Sequence, residues 1–173
     1  MKTHELVQAL LSNPTTHKVT YGVFARDQLP RHLRKQRPVA IIVNTHQKTK
    51  RGEHWVAFYF HKNGQTMYFD SYGLPPSYPE FVSFLKNNAV SYTYNTRRVQ
   101  GNKRTCGHYC LYFIMSMVRK QPQKMFRHLN INNPTDNDKW IQDWYKYTFP
   151  KRLPISNKRW ISRWFENIYP TVL

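Results

Sequence analysis

From Cys106 to Val118 the chain is almost wholly apolar and carries no Asp, Glu, Lys or Arg. A helix that is apolar all round has no face to show to water, so the rest of the chain must wrap it. The run opens directly after a polar, basic stretch, with Thr105-Cys106-Gly107 at its first turn. The first N–H groups of a helix have no partner inside it, and the helix dipole favours an anion there. A cysteine in that place has its thiol pKa lowered and becomes a thiolate nucleophile. The spacing predicts a central buried helix that carries a nucleophile at its start.

The remaining patterning supplies a small sheet around that helix. Val39–Asn44 is a continuous β-branched run, which suits a strand buried on both faces. Residues 54–60 and 66–69 read as strands, with Asn63-Gly64 between them as a hairpin signal. Leu6, Leu10 and Leu11 have helical spacing, and Asn13-Pro14 stops that helix. Residues 15–20 are polar, and 21–24 form a short apolar loop or strand. Phe81, Phe84 and Leu85 mark a helix over 78–87, and 90–94 read as another strand. Further helices are predicted over 123–129, 136–147 and 156–168. No repeat, low-complexity tract or linker breaks the chain, so residues 1–173 are expected to form one α+β domain, a small mixed sheet packed on the central helix.

With 40% hydrophobic and 16% aromatic residues among 173, the chain can bury a sizeable core. Its formal charge is +18 and its pI about 10.1. The charge is spread along the chain, with denser patches at 31–37, 48–51, 97–104 and 151–163. Spread charge suits non-specific contact with the phosphates of a nucleic acid rather than a sequence-reading helix. The two cysteines, Cys106 and Cys110, lie four apart on one helix. They build neither a disulfide framework nor a four-ligand zinc site, so no metal or organic cofactor is expected and a reducing compartment is the simpler reading. The first residues lack the apolar core of a signal peptide, and no stretch approaches the roughly 18 apolar residues of a membrane span. A monomer that is neither secreted nor membrane-bound is expected.

Upstream of Cys106 lie His54, Asp70 and Gln100, in that order. Nucleophile, base, orienter and oxyanion donor are the parts of a cysteine hydrolase. Hairpin register tests the combination. A two-residue Asn63-Gly64 turn would pair Ala57 with Asp70 and put His54 and Asp70 on opposite faces. A three-residue loop, Lys62-Asn63-Gly64 with Gly64 left-handed, pairs Val56 with Asp70 and makes His54 and Asp70 diagonal neighbours on one face. The catalytic reading therefore predicts the three-residue loop. Cys106 would attack a carbonyl carbon, His54 would stabilise the thiolate and protonate the leaving amine, and Asp70 would orient the ring. The Gln100 amide and the Cys106 backbone N–H would stabilise the oxyanion. Gly101 would allow a tight backbone turn. Trp55 would shield the ion pair or stack near the imidazolium. Gly52 and Glu53 could offer backbone pairing to an extended peptide. Each residue alone has a plainer reading: a cysteine in an apolar helix is ordinarily inert core, which is the reading kept for Cys110. Their order and context carry the argument.

At these residues the chain resembles the adenovirus-type cysteine protease (adenain) family, which is related to the proteases of ubiquitin-like modifiers. The resemblance rests on Val39-Ala-Ile-Ile-Val-Asn-Thr45, Gly52-Glu-His-Trp-Val-Ala-Phe58, Tyr68-Phe-Asp-Ser-Tyr-Gly73, Val99-Gln-Gly101 and Cys106-Gly-His-Tyr-Cys110. It implies a papain-like active site in permuted order and cleavage after small residues, often Gly. It further implies maturation of viral capsid and core precursor proteins, in the virion and in the host nucleus or a cytoplasmic virus factory. The adenoviral enzyme is stimulated by DNA and by a viral peptide attached through a cysteine. With no cysteine besides Cys106 and Cys110, this chain leaves room only for a non-covalent activating peptide, added as a strand near 90–94. The acid is Asp70 where the adenoviral enzyme has a glutamate; an aspartate also serves in the related modifier-removing enzymes.

Two alternatives compete. One is a protease of a ubiquitin-like modifier. The other is a non-catalytic basic nucleic-acid-binding protein, which predicts a buried Cys106 with His54 pointing elsewhere. Trp140, Trp144, Trp160 and Trp164 sit at helical spacing and read as core rather than as base-stacking platforms.

Overall fold

The computed structural model describes residues 1–50, 52 and 54–149. The predicted helix over 156–168, with Trp160 and Trp164, and the predicted substrate residue Glu53 lie outside them. The chain opens with α1 (Thr3–Ser12), which buries Leu6, Val7, Ala9 and Leu10. The polar stretch expected as a connection contains a further helical turn, α2 (Pro14–His17). Asn13 ends one helix and starts the next: its side chain accepts from the Thr15 N–H at 2.9 Å, and Pro14 sits where a helix needs no N–H donor. Strands β1 (Thr20–Ala25), β2 (Val39–Asn44), β3 (Trp55–Phe60) and β4 (Gln65–Phe69) follow, then α3 (Pro79–Asn88) and β5 (Ser91–Tyr94). The central helix α4 (Cys106–Val118) precedes α5 (Pro122–Arg127) and α6 (Pro134–Thr148).

The five strands make one mixed sheet in the order β1-β2-β3-β4-β5. β1 runs parallel to β2 and β4 to β5, while β2, β3 and β4 are antiparallel neighbours. Alternation along β2 and β3 divides the core in two. Ala40, Ile42, Ala57 and Tyr59 share a cluster with α1 and α4. Ile41, Val43, Val56 and Phe58 share the other with α3, where Phe58 meets Phe81 and Phe84 edge-on at 5.4 and 5.7 Å. Both faces are covered, which is why β2 and β3 read as unbroken apolar runs. The far side of α4 is closed by α6, whose Trp140 and Trp144 rings lie 5.1 and 4.9 Å from Tyr112. Of the two described tryptophans of the spaced set, Trp144 is half-buried there, while Trp140, expected as core, stays exposed although its ring meets Tyr112. β5 is different: all four of its residues are exposed at the edge of the sheet.

The β3–β4 hairpin adopts the three-residue loop. Ala57 pairs with Phe69 and Phe60 with Thr66, so the register continues to Val56 opposite Asp70. The Gly64 N–H donates to the His61 carbonyl at 3.2 Å, and Gly64 takes a φ of 84° that a side chain would resist. Among the described residues no helix is long and apolar enough to cross a membrane, and no group of three His, Cys, Asp or Glu side chains is placed to hold a metal ion.

Candidate active site

Cys106 stands at the start of α4, buried to 5% exposure. His54 immediately precedes β3, and Asp70 immediately follows β4, so the hairpin register delivers both to one side of the sheet end. His54 Nε2 lies 2.8 Å from Asp70 Oδ1. That leaves Nδ1 for Cys106. Burial opposes a charged His54, but the hydrogen bond to Asp70, the contact with Cys106 and the negative charge of both raise its pKa from 6.5 to about 9. Burial likewise opposes a Cys106 thiolate. Hydrogen bonding to His54, the charge of its ring and the backbone N–H groups of Trp55 and Gly107 outweigh it, so the thiol pKa is lowered. The two shifts have one cause seen from its two ends, and both favour an imidazolium–thiolate pair. Cys110, one turn on, donates its S–H to the Trp55 carbonyl at 3.3 Å, and full burial pushes its thiol pKa well up.

Asp70 is held by residues that the sequence pattern did not single out. Asn95 clips its backbone from both sides: the Asp70 N–H donates to Asn95 Oδ1 at 3.0 Å, and Asn95 Nδ2 donates to the Asp70 carbonyl at 2.6 Å. The Tyr72 N–H donates to Asp70 Oδ1 at 2.7 Å, the same oxygen that meets His54. The Tyr72 ring then stacks on the His54 imidazole at 4.8 Å between centroids. The aromatic neighbour of His54 is therefore Tyr72 rather than Trp55. The Trp55 indole is buried, and its N–H goes to the Met1 carbonyl at 3.0 Å. An Asp-Ser-Tyr turn directly after a strand was the signal available for Tyr72. Asn95, distant in sequence, had none.

Gln100 is buried at 2% exposure and both ends of its amide are fixed. Ser71 Oγ donates to Gln100 Oε1 at 2.6 Å. Gln100 Nε2 donates to the Lys103 carbonyl at 2.6 Å and to the Tyr72 hydroxyl at 3.2 Å. A carbonyl only accepts, so the Lys103 contact fixes which end of the amide is nitrogen. One of the two Gln100 hydrogens thus faces a hydroxyl, a partner that an incoming oxygen can replace. Gly101 serves differently from the tight turn expected of it. A Cβ there would meet Asp138 Oδ2 at 2.7 Å and Thr135 Cα at 2.9 Å, so glycine is needed for the close approach of α6.

A groove of about 950 Å³ lies beside this centre in the chain, lined by sequence neighbours of His54 and Cys106 but by none of Cys106, His54, Asp70 and Gln100. Gly52 and Trp55 line it, together with Asn44, Lys48, Lys50 and Arg104. Gly52, two residues before His54, is exposed there.

The sequence profile of the adenovirus endoprotease family matches residues 20–139. The protease of Bovine adenovirus B serotype 3 is 34% identical over 132 residues, covering 67% of this chain and 62% of that protein. A protein of Acanthamoeba polyphaga mimivirus, named as a thiol protease, is 33% identical over 94 residues, which is 49% of this chain and 31% of that one. The crystal structure of the ASFV pS273R protease aligns with a TM-score of 0.42 and 22% identity over 68% of this chain and 46% of its own. The chain spans about three-fifths of its adenovirus relative and about a third of the mimivirus one. The matched profile runs from β1 into α6 and includes Cys106, His54, Asp70 and Gln100, and the chain belongs to the adenovirus endoprotease family.

Proposed function

We propose that this chain is a cysteine endopeptidase that cuts protein precursors after small residues such as glycine. One observation carries the reading: His54 is bonded to Asp70 at 2.8 Å and coupled to Cys106, with its own pKa raised to about 9 and that of the thiol lowered. A non-catalytic basic protein has no use for such a pair and predicts His54 turned away.

In the proposed reaction the Cys106 thiolate adds to the scissile carbonyl carbon, and the carbonyl π pair moves onto oxygen. The second Gln100 N–H leaves the Tyr72 hydroxyl for this oxyanion, joined by the Cys106 backbone N–H. His54 gives its proton to the departing amine, the C–N bond breaks and a thioester remains. Neutral His54 then takes a proton from water, whose oxygen attacks the thioester, and a second oxyanion collapses to release the acid and restore the thiolate.

The family's viral members and the +18 charge support two further parts of the proposal: action on virion precursor proteins, and non-specific stimulation by DNA. The exposed β5 edge supports non-covalent addition of an activating peptide as a sixth strand. Iodoacetamide labelling of each cysteine between about pH 5 and 9, with and without DNA, tests the core of the reading against the ordinary thiol pKa of about 8.5. Fast labelling of Cys106 alone near pH 6, slowed by His54→Ala, is expected. Labelling at the rate of an ordinary thiol in every condition would remove the assignment.

A further inference from the structure

The loop between Gln100 and Cys106 has to hold an amide and a nucleophile in fixed relation, yet it contains no regular element and carries Lys103 and Arg104. What it leans on is a carboxylate from another part of the chain. Asp138 of α6 has 0% exposure and no salt-bridge partner among the described residues. An unpaired buried carboxylate is costly unless hydrogen bonds replace its water. Asp138 Oδ1 accepts from the Thr105 hydroxyl at 2.7 Å and the Gly101 N–H at 3.2 Å, and Oδ2 accepts from the Lys103 N–H at 3.0 Å; the Tyr109 hydroxyl shares its one proton between Oδ1 at 3.2 Å and the Val99 carbonyl at 3.1 Å. Three of these donors lie in 101–105 and the fourth is in the first turn of α4. Its neighbour Asn137 adds a bond from Nδ2 to the Val99 carbonyl at 3.0 Å.

The geometry points to Asp138 as the positioning residue of the oxyanion site. Its reach to Gln100 is two bonds long. Asp138 holds the N–H of Lys103, and the carbonyl of Lys103 holds Gln100 Nε2 at 2.6 Å. Its reach to the nucleophile runs through Thr105. The side chain of that residue at the head of α4 does not cap its own helix but bonds Asp138; its carbonyl takes the His108 N–H at 2.9 Å, and the Gly107 N–H is left to the thiolate. A carboxylate fits this place because it accepts at every lone pair and donates at none. An amide of the same shape would turn an NH₂ toward at least one of the donors. Gly101 fits the same account, since any Cβ would strike the carboxylate.

This assignment rests on the cysteine endopeptidase reading, and the test separates the two. The variants are Asp138→Asn, Thr105→Val and Tyr109→Phe, with wild type and Cys106→Ala as references. The probes are iodoacetamide, a fluorogenic peptide amide ending in Gly-Gly, and the matching peptide aldehyde. The aldehyde forms a hemithioacetal with the thiolate and places its oxygen in the oxyanion site without turnover. Asp138→Asn is expected to lower kcat by about 10- to 100-fold, up to the lower end of the roughly 10²- to 10³-fold cost of losing an oxyanion donor outright, and to weaken aldehyde binding by a similar factor. KM and the pH dependence of Cys106 alkylation are expected to stay as in wild type, because the His54 pair is untouched. Thr105→Val and Tyr109→Phe remove one donor each and are expected to show the same pattern at a few-fold; they carry the test if Asp138→Asn does not fold. A purely structural Asp138 would lower the melting temperature but leave kcat and aldehyde affinity unchanged well below it, and that result overturns the assignment. A wild-type Cys106 that alkylates no faster than an ordinary thiol overturns the protease reading itself, and this assignment with it.

Discussion

The proposed chemistry of this site depends on a charge balance between three side chains, and each can be altered singly. His54 is held protonated by Asp70 and Cys106 against its burial. A raised histidine pKa means that the fold favours the protonated form. That stabilisation is complete below the ordinary value of 6.5 and is lost as pH rises through about 9. For Cys106 the direction is opposite: the fold favours the thiolate, a contribution present above the ordinary thiol value and lost as pH falls through the lowered one. Turnover is therefore expected to rise through the lowered thiol pKa and to fall near pH 9, where the proton needed by the leaving amine is gone. Asp70→Asn keeps the shape and removes the charge. Burial then dominates, so the His54 pKa drops, the thiol pKa rises and the active window narrows from both sides. A loss of kcat/KM on the order of 10²-fold is expected, as for a crippled general acid, with the alkaline limb displaced to lower pH. An unchanged pH profile for Cys106 labelling in that variant would show that Asp70 does not set the pair. Cys110 supplies the control. Its S–H is bonded to the Trp55 carbonyl in full burial, so Cys110→Ala is expected to leave the rate of Cys106 labelling unchanged while lowering stability by about 1 kcal/mol for the lost buried group. Mass spectrometry and a denaturant melt read the two effects separately.

Among the elements, the β3–β4 hairpin shows most plainly what could be read in advance. The Lys62-Asn63-Gly64 loop is fixed by a left-handed Gly64, whose Cβ, if present, would also meet Val90 Cγ2 at 2.6 Å. Gly64→Ala is expected to cost about 1–2 kcal/mol through the unfavourable backbone alone, measured by urea denaturation. A shift within error would mean that the turn relaxes to another form. The loop length was legible because only one register puts His54 and Asp70 on the same face, so the chemistry decided what local propensity left open. The apolar runs of β2, β3 and α4 were legible for a different reason: an element covered on all sides has no choice but to be apolar. The short helix α2 was hidden because Asn13-Pro14 is a stop signal and a start signal in the same two residues. Asn95 and Asp138 were hidden because their bonds run to backbone groups and side chains brought together by the fold, and such contacts leave no period in the sequence. The core of the site followed from type and order. Its bracing needed the three-dimensional arrangement.

At the scale of the whole molecule the dominant fact is the charge, 27 basic residues against 9 acidic ones. Acidic partners are too few to neutralise it. Two lysine or arginine salt bridges, Arg26 to Glu80 and Lys146 to Asp143, are seen among the described residues, while Asp70 and Asp138 are committed to the site and its loop. The excess positive charge repels itself in the compact state, and this cost is lowered by anything that brings negative charge to the folded surface. The proposed contact with DNA therefore has a consequence for stability that needs no substrate. A ligand that binds the native state at about 100 times its Kd adds about 2.7 kcal/mol, and for a domain of this size each kcal/mol raises the melting temperature by about 2–4 °C. Duplex DNA is expected to raise the midpoint by about 5–10 °C at low salt on that arithmetic, equally for sequences of different composition, and equally for Cys106→Ala. The gain is expected to fade as salt is added, with the log of the affinity falling by about 0.9 per phosphate contact for each log of salt. A midpoint raised only for one DNA sequence would mean base readout instead of phosphate contact. A midpoint indifferent to DNA at low salt would mean that the charge serves another polyanion, and stimulation by DNA would then have no binding step to act through.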